Sequence, residues 1–300
     1  MLSIIIPVYN YNCVDLVTAL SEQGDALVAR LGIEDFDYEI IVAEDGSTDT
    51  LLVEENACIT ANKRVKHIRR NENIGRARIL NFLVSQSKFA HVLIIDCDAQ
   101  VFTTDYLFVY WQARHQADVV CGSIENAPYC PFGCELRYYY EESARQIRTL
   151  EYRNANPNSH LSTFNIMFAR HVFDKVQFDE RCTEYGYEDA LFGLMLAPNG
   201  ISIVHIENPL IHDGMDPSSV YLSKVETALR TLHRLGEPLH SASSLVRLVR
   251  KLNSWHLVPL VRGSFRLLRP LLRRQLFSHR PSMLCLKYYK LGYYLTLSKP

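Results

Sequence analysis

The first 125 residues alternate short apolar runs with longer segments of helical periodicity, and this alternation restricts the fold more than any other feature. Parallel strands need a crossover connection of helix length, so repeated alternation is typical of a mostly parallel sheet covered by helices. The apolar runs predict strands at Leu2–Val8, Tyr38–Ala43, Val65–Arg69, His91–Ile95 and Asp118–Gly122. The segments between them predict helices at Val14–Leu31, Thr50–Ala61, Arg76–Ser87 and Asp105–Gln116.

The pattern becomes less regular after residue 125 and changes again near residue 238. A further helix is predicted over Leu136–Tyr152, and strands are predicted over Ser162–Ala169 and Ile201–His205. After Pro238, leucine and arginine recur at helical spacing. We therefore predict one dominant domain over residues 1–238 and a helical C-terminal region over residues 239–300.

The N-terminal apolar run is short and passes directly into polar residues, so we expect no signal peptide. No run reaches the ~18 uninterrupted apolar residues of a membrane-spanning helix. The eight cysteines are scattered, which suits a reducing cytoplasm better than a disulfide framework. Cys130 and Cys134 are loosely spaced and have no matching Cys/His pair, so we predict no zinc site.

The triplet Asp96-Cys97-Asp98 follows the apolar run Val92-Leu93-Ile94-Ile95 directly. In an open α/β sheet, ligands gather beyond the carboxyl ends of the strands, and a cation such as Mg²⁺ or Mn²⁺ prefers oxygen ligands there. Paired aspartates also occur at strand ends simply as caps of turns. The triplet alone therefore allows either a metal site or a structural turn.

Two other strand ends carry polar segments. Glu44-Asp45-Gly46-Ser47-Thr48-Asp49 ends the second strand, where a carboxylate can accept from the N–H of a base or can cap the turn and the next helix. Asn71-Glu72-Asn73-Ile74-Gly75-Arg76-Ala77-Arg78 follows the third strand. Its glycine allows close backbone approach, and its arginines could meet a diphosphate at the helix start or lie solvated on a surface loop.

Taken together with Ile4-Ile5-Ile6-Pro7-Val8-Tyr9-Asn10, these motifs resemble in order and spacing a family 2 glycosyltransferase of the GT-A fold. The resemblance covers residues 1 to about 215 and implies a Rossmann-like sheet flanked by helices, with a nucleotide-sugar-binding half over residues 1–125. It implies that Asp98 binds Mn²⁺ or Mg²⁺ and that Asp96 contacts the ribose or sugar and joins the metal site. It assigns further nucleotide-sugar contacts to Pro7, Tyr9, Asn10, Asp45, Asn73, Gly75 and Arg78.

The second half, residues 126–238, resembles the acceptor and catalytic half of galactosyltransferase-type enzymes. Phe178-Asp179-Glu180 and Tyr185-Gly186-Tyr187-Glu188-Asp189 carry this resemblance. An inverting transfer needs one carboxylate to take the proton of the acceptor hydroxyl, and we predict Asp189 in that role. Glu188 is expected to bond the acceptor or orient its neighbour. Both residues would also suit a helix N-terminus for structural reasons alone.

Three more residues complete the predicted site. The resemblance places a histidine ligand near His212, although a lone histidine is often only a hydrogen-bonded structural residue. Asn165 lies in the segment that borders the acceptor in relatives, but Ser162 and Thr163 stand here where relatives have glycines. Tyr185 is also assigned to the acceptor side.

Charge divides the chain unevenly. Residues 239–300 hold twelve Lys and Arg and no Asp or Glu, although the whole chain has a formal net charge of −1. Leu245, Leu248, Val249 and Leu252 share one helical face, as in a helix that lies on a membrane surface, and Arg266, Arg269, Arg273 and Arg274 add basic residues at similar spacing. The same leucines could instead pack on the catalytic domain or form a dimer. Aromatic residues are few before Tyr288, so nucleic acid is disfavoured.

The sequence thus predicts an inverting, metal-dependent glycosyltransferase that uses a nucleotide diphosphate sugar, UDP-linked by expectation, and a hydroxyl of a glycan or lipid-linked glycan. We expect it in the cytoplasm, peripheral on the inner face of the cell membrane if residues 239–300 bind anionic lipid. The alternatives are a sugar nucleotidyltransferase, which should carry a glycine-rich phosphate loop after its first strand, and a non-catalytic sugar-binding or scaffold protein. The sugar, the linkage and the oligomeric state do not follow from the sequence.

Overall fold

The computed structural model describes residues 1–146 and 148–297. Within these residues it contains one mixed sheet of eight strands. The strands are β1 (Leu2–Val8), β2 (Tyr38–Asp45), β3 (Val65–Arg70), β4 (His91–Ile95), β5 (Ala99–Gln100), β6 (Val119–Asn126), β7 (Asn165–Ala169) and β8 (Ile203–His212). Their order across the sheet is β3-β2-β1-β4-β7-β6-β8-β5.

The helices cover the sheet or follow it in the chain. They are α1 (Val14–Leu31), α2 (Thr50–Asn56), α3 (Arg76–Gln86), α4 (Tyr106–Ala113), α5 (Glu135–Arg145), α6 (Leu150–Ala155), α7 (Val172–Lys175), α8 (Glu188–Leu196), α9 (Ser218–Leu235), α10 (Leu239–Ala242), α11 (Ser244–Ser254), α12 (Val258–Leu276) and α13 (Met283–Leu297). Short 3-10 helices lie at Ala57–Ala61, Pro157–Ser159 and Ala197–Asn199.

The strands β3, β2, β1 and β4 are parallel to one another, as the alternation of strands and helices predicts. All residues of β1 are buried, because helices cover both faces of a parallel sheet. The strand β7 runs antiparallel to β4 and to β6, and β5 runs antiparallel to β8. The predicted α/β class is confirmed, and the parallel pairing belongs to its N-terminal half.

One predicted helix is two helices in the structure. The sequence predicts a helix over Leu136–Tyr152, whereas α5 ends at Arg145 and α6 begins at Leu150. The Thr149 side chain accepts a hydrogen bond from the backbone N–H of Tyr152 and caps the second helix. A capping threonine inside an apolar pattern therefore marks a boundary that periodicity alone does not reveal.

The described chain forms two compact units. The first contains residues 1–125, 148–183 and 188–214, and the second contains residues 126–146, 184–187 and 215–297. The boundary near residue 238 stays a prediction. Helix α9, which precedes residue 238, packs with α5 and α13 inside the second unit.

Each unit has an apolar core of its own. The core of the first unit is built from the central strands and the helices that cover them, and it includes Tyr38, Tyr106 and Tyr110. In the second unit, Leu252 of α11 packs with Leu291 and Leu295 of α13. The close approach of α12 to α13 requires a glycine, since a Cβ on Gly292 would lie 2.2 Å from the Phe265 ring. Across the described residues, no helix is both long and apolar enough to cross a membrane.

Candidate active site

The loops that follow β1 and β2 are joined at the carboxyl edge of the sheet by Asn10. Its Oδ1 accepts hydrogen bonds from the backbone N–H groups of Thr48 and Asp49 at 2.7 and 3.0 Å. Tyr9 precedes it and is half exposed, whereas Pro7 is buried within β1. The structure therefore brings the predicted first-strand residues beside the second-strand loop, with Asn10 as the tie between them.

Asp45 connects the second-strand loop to the segment before α3. Both of its carboxylate oxygens accept from backbone N–H groups, those of Ile74 at 2.9 Å and Gly75 at 3.1 Å. Gly46, at a φ of +70°, lets the two loops meet, because a Cβ there would lie 2.2 Å from the backbone nitrogen of Asn73. The predicted residues Asp45, Asn73 and Gly75 thus form one hydrogen-bonded group.

Arg76, the first residue of α3, lies among carboxylates that come from two parts of the chain, Asp96 after β4 and the Glu188-Asp189 pair of α8. Its guanidinium contacts Asp96 and lies 3.2 Å from Glu188, and it donates to the Thr163 hydroxyl at 2.8 Å. Burial lowers the pKa of Arg76, but the nearby carboxylates outweigh burial and raise it above its ordinary value. The arginine is therefore a permanent positive charge that balances the acidic cluster.

Asp189 and Glu188 open α8 and differ in their surroundings. Thr163 donates to Asp189 from its backbone N–H at 3.2 Å and from its hydroxyl at 2.9 Å. Asp189 is half-buried, which leaves the oriented carboxylate accessible. Glu188 is buried, and its Oε2 has no hydrogen-bond partner among the residues that the structure describes. Burial, followed by the charge of Asp189, raises the pKa of Glu188.

The two aspartates of the triplet after β4 point to different partners. Asp96 faces Arg76, whereas the Asp98 carboxylate lies 3.1 Å from Nε2 of His212, the last residue of β8. Burial acts to raise the pKa of Asp98, but the hydrogen bond and charge of His212 bring it below its usual range. Gly214 packs on the same carboxylate, so a Cβ at that position would lie 2.5 Å from Asp98.

The donor chemistry of Asp98 and His212 fits a divalent cation, since carboxylate oxygen and imidazole nitrogen both bind Mn²⁺ and related metals. Within residues 1–146 and 148–297, no cluster of three or more His, Cys, Asp or Glu side chains is arranged to hold a metal ion. A cation here would thus take further ligands from the substrate, as Mg²⁺ commonly does from phosphates. The metal assignment stays a prediction.

Three predicted residues make their described contacts with residues outside this cluster. Arg78 is paired with Glu180 at 3.4 Å on the surface. The Asn165 side chain is buried, and its oxygen and nitrogen are both hydrogen-bonded inside the protein, so we leave it out of the acceptor site. Tyr185 belongs to the second unit, where its ring lies under the Lys224 ammonium group.

Sequence reasoning does not assign Arg76 and Thr163 to the site. In the sequence, Arg76 and Arg78 both lie at the start of a predicted helix. The feature that could have singled out Arg76 is its position directly after Gly75, at a helix N-terminus, where anions commonly bind. Thr163 is fully buried between Arg76 and Asp189. It orients both the arginine and the predicted base.

The fold and this carboxylate cluster define a protein of the GT-A glycosyltransferase class. The family model described as "Glycosyl transferase family 2" matches residues 3–177. The chain therefore belongs to glycosyl transferase family 2. A search of curated proteins finds no match.

Solved structures with low sequence identity share the fold. The mannosyltransferase PcManGT from Pyrobaculum calidifontis, in complex with GDP-Man and Mn²⁺, matches with a TM-score of 0.53 and 15% identity, over 98% of this chain and 84% of that one. Residues 1–349 of TarS from S. aureus match with a TM-score of 0.50 and 17% identity, over 77% of this chain and 65% of that one. This chain thus spans just under two thirds of the TarS fragment.

A third structure, glucosyl-3-phosphoglycerate synthase from Mycobacterium tuberculosis in complex with Mn²⁺, UDP and glucosyl-3-phosphoglycerate, matches with a TM-score of 0.51 and 15% identity. The match covers 79% of this chain and 81% of that one. These likenesses concern the fold, and they agree with the predicted GT-A architecture.

Proposed function

We propose that the chain transfers a sugar from a nucleotide diphosphate donor, UDP-linked, to a hydroxyl of a glycan or lipid-linked glycan, with inversion at the anomeric carbon. Membership of glycosyl transferase family 2 supports the reaction class. The bound nucleotides of the similar structures, UDP in one and GDP-mannose in another, support a nucleotide sugar as donor. The choice of UDP over GDP is part of the proposal.

The donor site in this proposal is the edge where the loops after β1, β2 and β4 meet. Asp45 joins the loop after β2 to the segment before α3 by two hydrogen bonds. In this proposal the nucleoside binds against the surface that these two segments form. Tyr9 is the half-exposed aromatic group on the same edge. A base could stack on such a ring, and a ribose could reach Asp96.

The diphosphate would lie between Arg76 and the pair formed by Asp98 and His212. A divalent cation held by Asp98 and His212 would supply positive charge against the negative charge of the leaving diphosphate. Arg76 contributes a permanent positive charge on the other side, and its N–H groups suit phosphate oxygens.

Asp189 is the proposed base of the transfer. Its carboxylate takes the proton of the acceptor hydroxyl while the acceptor oxygen forms a bond to the anomeric carbon and the bond from that carbon to the diphosphate oxygen breaks. The attacking oxygen and the leaving oxygen then lie on opposite faces of the sugar, which inverts the configuration. Glu188, buried beside the base with one oxygen unpartnered, is proposed to bond a hydroxyl of the acceptor.

The observation that carries the proposal is the double anchorage of Asp189 by Thr163 within a cluster that also holds Arg76 and Asp96. A helix N-terminus needs only capping, and it does not need a carboxylate fixed by two hydrogen bonds beside a half-buried arginine. Such an arrangement is typical of a group whose orientation matters to a reaction.

The test compares Asp189→Asn with the unchanged chain and with Asp174→Asn, a surface aspartate of α7. Asp189→Asn should lower sugar transfer about a thousandfold, within the range expected for loss of a general base. Calorimetry should give the same affinity for UDP with Mn²⁺ in all three proteins. A panel of nucleotide sugars, scored by hydrolysis and thermal shift, identifies the donor first. Unchanged transfer by Asp189→Asn would reject the assignment.

A second variant, Asp98→Ala, separates metal binding from proton transfer. It should weaken UDP binding measured with Mn²⁺ and leave UDP binding without metal nearly unchanged. If the affinity measured with Mn²⁺ is unaltered, Asp98 is not a metal ligand.

A further inference from the structure

Helix α12 carries apolar residues on two faces. The inner face includes Phe265 and Leu276, which are buried in the second unit. On the outer face, Leu260 is 69% exposed, Leu267 is 79% exposed and Leu271 is 64% exposed. We call these three leucines the outer stripe.

The outer stripe is a continuous line on the helix surface. Its members are separated by seven and four residues, so at 3.6 residues per turn they lie within about 40° of one another and span roughly 16 Å. Leu268, 38% exposed, widens the line on one side. Single exposed leucines are ordinary on protein surfaces, but a continuous row of them is typical of a surface that binds a membrane or another protein.

Positive charge borders the outer stripe without local neutralisation. Arg266 and Arg274 are exposed on α12, and among the described residues neither has an acidic partner. By contrast, Arg269 and Arg273 lie 3.3 and 3.8 Å from Glu226. The absence of any Asp or Glu from residues 239–300 makes this segment of the chain strongly basic.

The helical face that the sequence predicts for membrane contact is a different one. Leu245, Val249 and Leu252 of α11 pack with α13 in the small core of the second unit. Of that predicted face, only Leu248 is exposed, at 42%. Three of the four residues of that predicted face are therefore used for folding, and the more exposed apolar surface lies on α12.

We infer that the outer stripe inserts into the headgroup region of a membrane that contains anionic lipid. Leucines that face out beside arginines are the arrangement of an interfacial helix, in which apolar residues enter the lipid and basic residues meet its headgroups. Trp255, 55% exposed, precedes α12 and is the residue type that favours the membrane interface. A second copy on the same face would oppose arginine to arginine, which disfavours a symmetric dimer. The inference is independent of the proposed transfer reaction.

The test is co-sedimentation of the full chain with phosphatidylglycerol-containing vesicles and with pure phosphatidylcholine vesicles. The unchanged chain should bind the anionic vesicles and bind the neutral ones much less. The double variant Leu260→Ser/Leu267→Ser should bind anionic vesicles about tenfold more weakly or worse. Its control is Ile33→Ser/Leu51→Ser, which replaces two exposed apolar residues of the first unit, 53% and 70% exposed, and should bind as the unchanged chain does.

A charge-reversal pair tests the headgroup contact. Arg266→Glu/Arg274→Glu should abolish the preference for anionic vesicles, whereas Lys63→Glu/Lys66→Glu, with the same change in net charge at exposed positions of the first unit, should retain it. Equal binding by the leucine variant and the unchanged chain overturns the inference. So does failure of the unchanged chain to bind anionic vesicles, or a dimer that the leucine variant converts to monomer. Thermal unfolding followed by circular dichroism verifies that each variant folds.

Discussion

At the scale of single residues, the positive charge of Arg76 explains how three carboxylates can lie close together in the site. Asp96, Glu188 and Asp189 would repel one another if all three were ionised in a partly buried cluster. The guanidinium opposes that repulsion, and its charge acts to lower the pKa of Asp96 and that of Glu188. Glu188 nevertheless keeps a raised pKa because burial and the charge of Asp189 outweigh the arginine.

This raised pKa has a consequence for stability that Glu188→Gln measures. A carboxyl whose pKa is higher in the folded protein than in the unfolded chain binds more protons when folded, so stability falls as pH rises through its folded pKa. We expect the unchanged protein to lose on the order of 1–2 kcal/mol relative to Glu188→Gln between about pH 5 and pH 8. Urea unfolding of both proteins at the two pH values checks this. A difference that does not vary with pH would contradict it.

Gly214 controls the position of Asp98. A Cβ at residue 214 would lie 2.5 Å from both Cβ and Oδ2 of Asp98, so Gly214→Ala must displace that carboxylate from His212. We expect weaker binding of UDP with Mn²⁺, by about tenfold, with little change in melting temperature. The control is Gly263→Ala, where a Cβ meets no atom within 4 Å. Equal nucleotide affinity in both variants would show that Asp98 tolerates the shift.

At the scale of secondary-structure elements, Asn165 joins β7 to its neighbours. Its Oδ1 accepts hydrogen bonds from the hydroxyls of Tyr106 and Tyr110 on α4, each at 2.7 Å. Its Nδ2 donates to the carbonyls of Ser123 in β6 and Asn208 in β8, at 2.9 and 2.8 Å. One buried amide therefore ties a helix and three strands together.

We expect Asn165→Leu to destabilise the protein by about 3 kcal/mol or more, because it leaves buried hydroxyl and carbonyl groups without partners. Urea unfolding measures this loss. Asn199→Leu provides a surface control, since the Asn199 side chain makes a single exposed hydrogen bond. If Asn165→Leu lowers the free energy of unfolding no more than the control does, water bonds the groups that the amide had bonded. Asn165 is then not what holds these elements together.

The sequence predicts the bounds of strands and helices well where a segment has one clear pattern, either apolar throughout or periodic. The bounds of β1, β4 and α1 agree with the structure, because each is a strongly apolar or strongly periodic run with polar residues at its ends. The carboxyl-edge rule also anticipates that Asp45 and Asp96 lie on one edge of the sheet. It does not anticipate which arginine of α3 joins them. Residues 76 and 78 differ by about 200° around a helix, and only packing decides which one faces inward.

At the scale of the whole molecule, the chain passes between its two compact units several times. The candidate site belongs entirely to the first unit, yet residues 126–146 and 184–187 interrupt that unit in sequence. The second unit is completed by α9, α12 and α13. Neither unit is therefore a single continuous segment, which the sequence pattern does not reveal.

A truncation at the boundary predicted from sequence tests this division. Chain 1–238 keeps α9 but lacks α13, and it loses the hydrogen bond from Tyr289 to Glu226. The part of the buried face of α9 that packs on α13 would then be uncovered. We expect this fragment to self-associate in size-exclusion chromatography and to bind a hydrophobic dye. A monodisperse fragment without dye binding would instead support an independent domain over residues 1–238.

Because the second unit is interrupted in sequence, its helix α5 is synthesised well before the helix α9 that it contacts. Tyr140 of α5 contacts Tyr221 of α9, which is translated about 80 residues later. At ~5–20 residues per second, α5 leaves the ribosome on the order of ten seconds before this partner exists. For that interval Tyr140 lacks this contact on the nascent chain, and apolar surface exposed during folding is what makes nascent chains prone to aggregate.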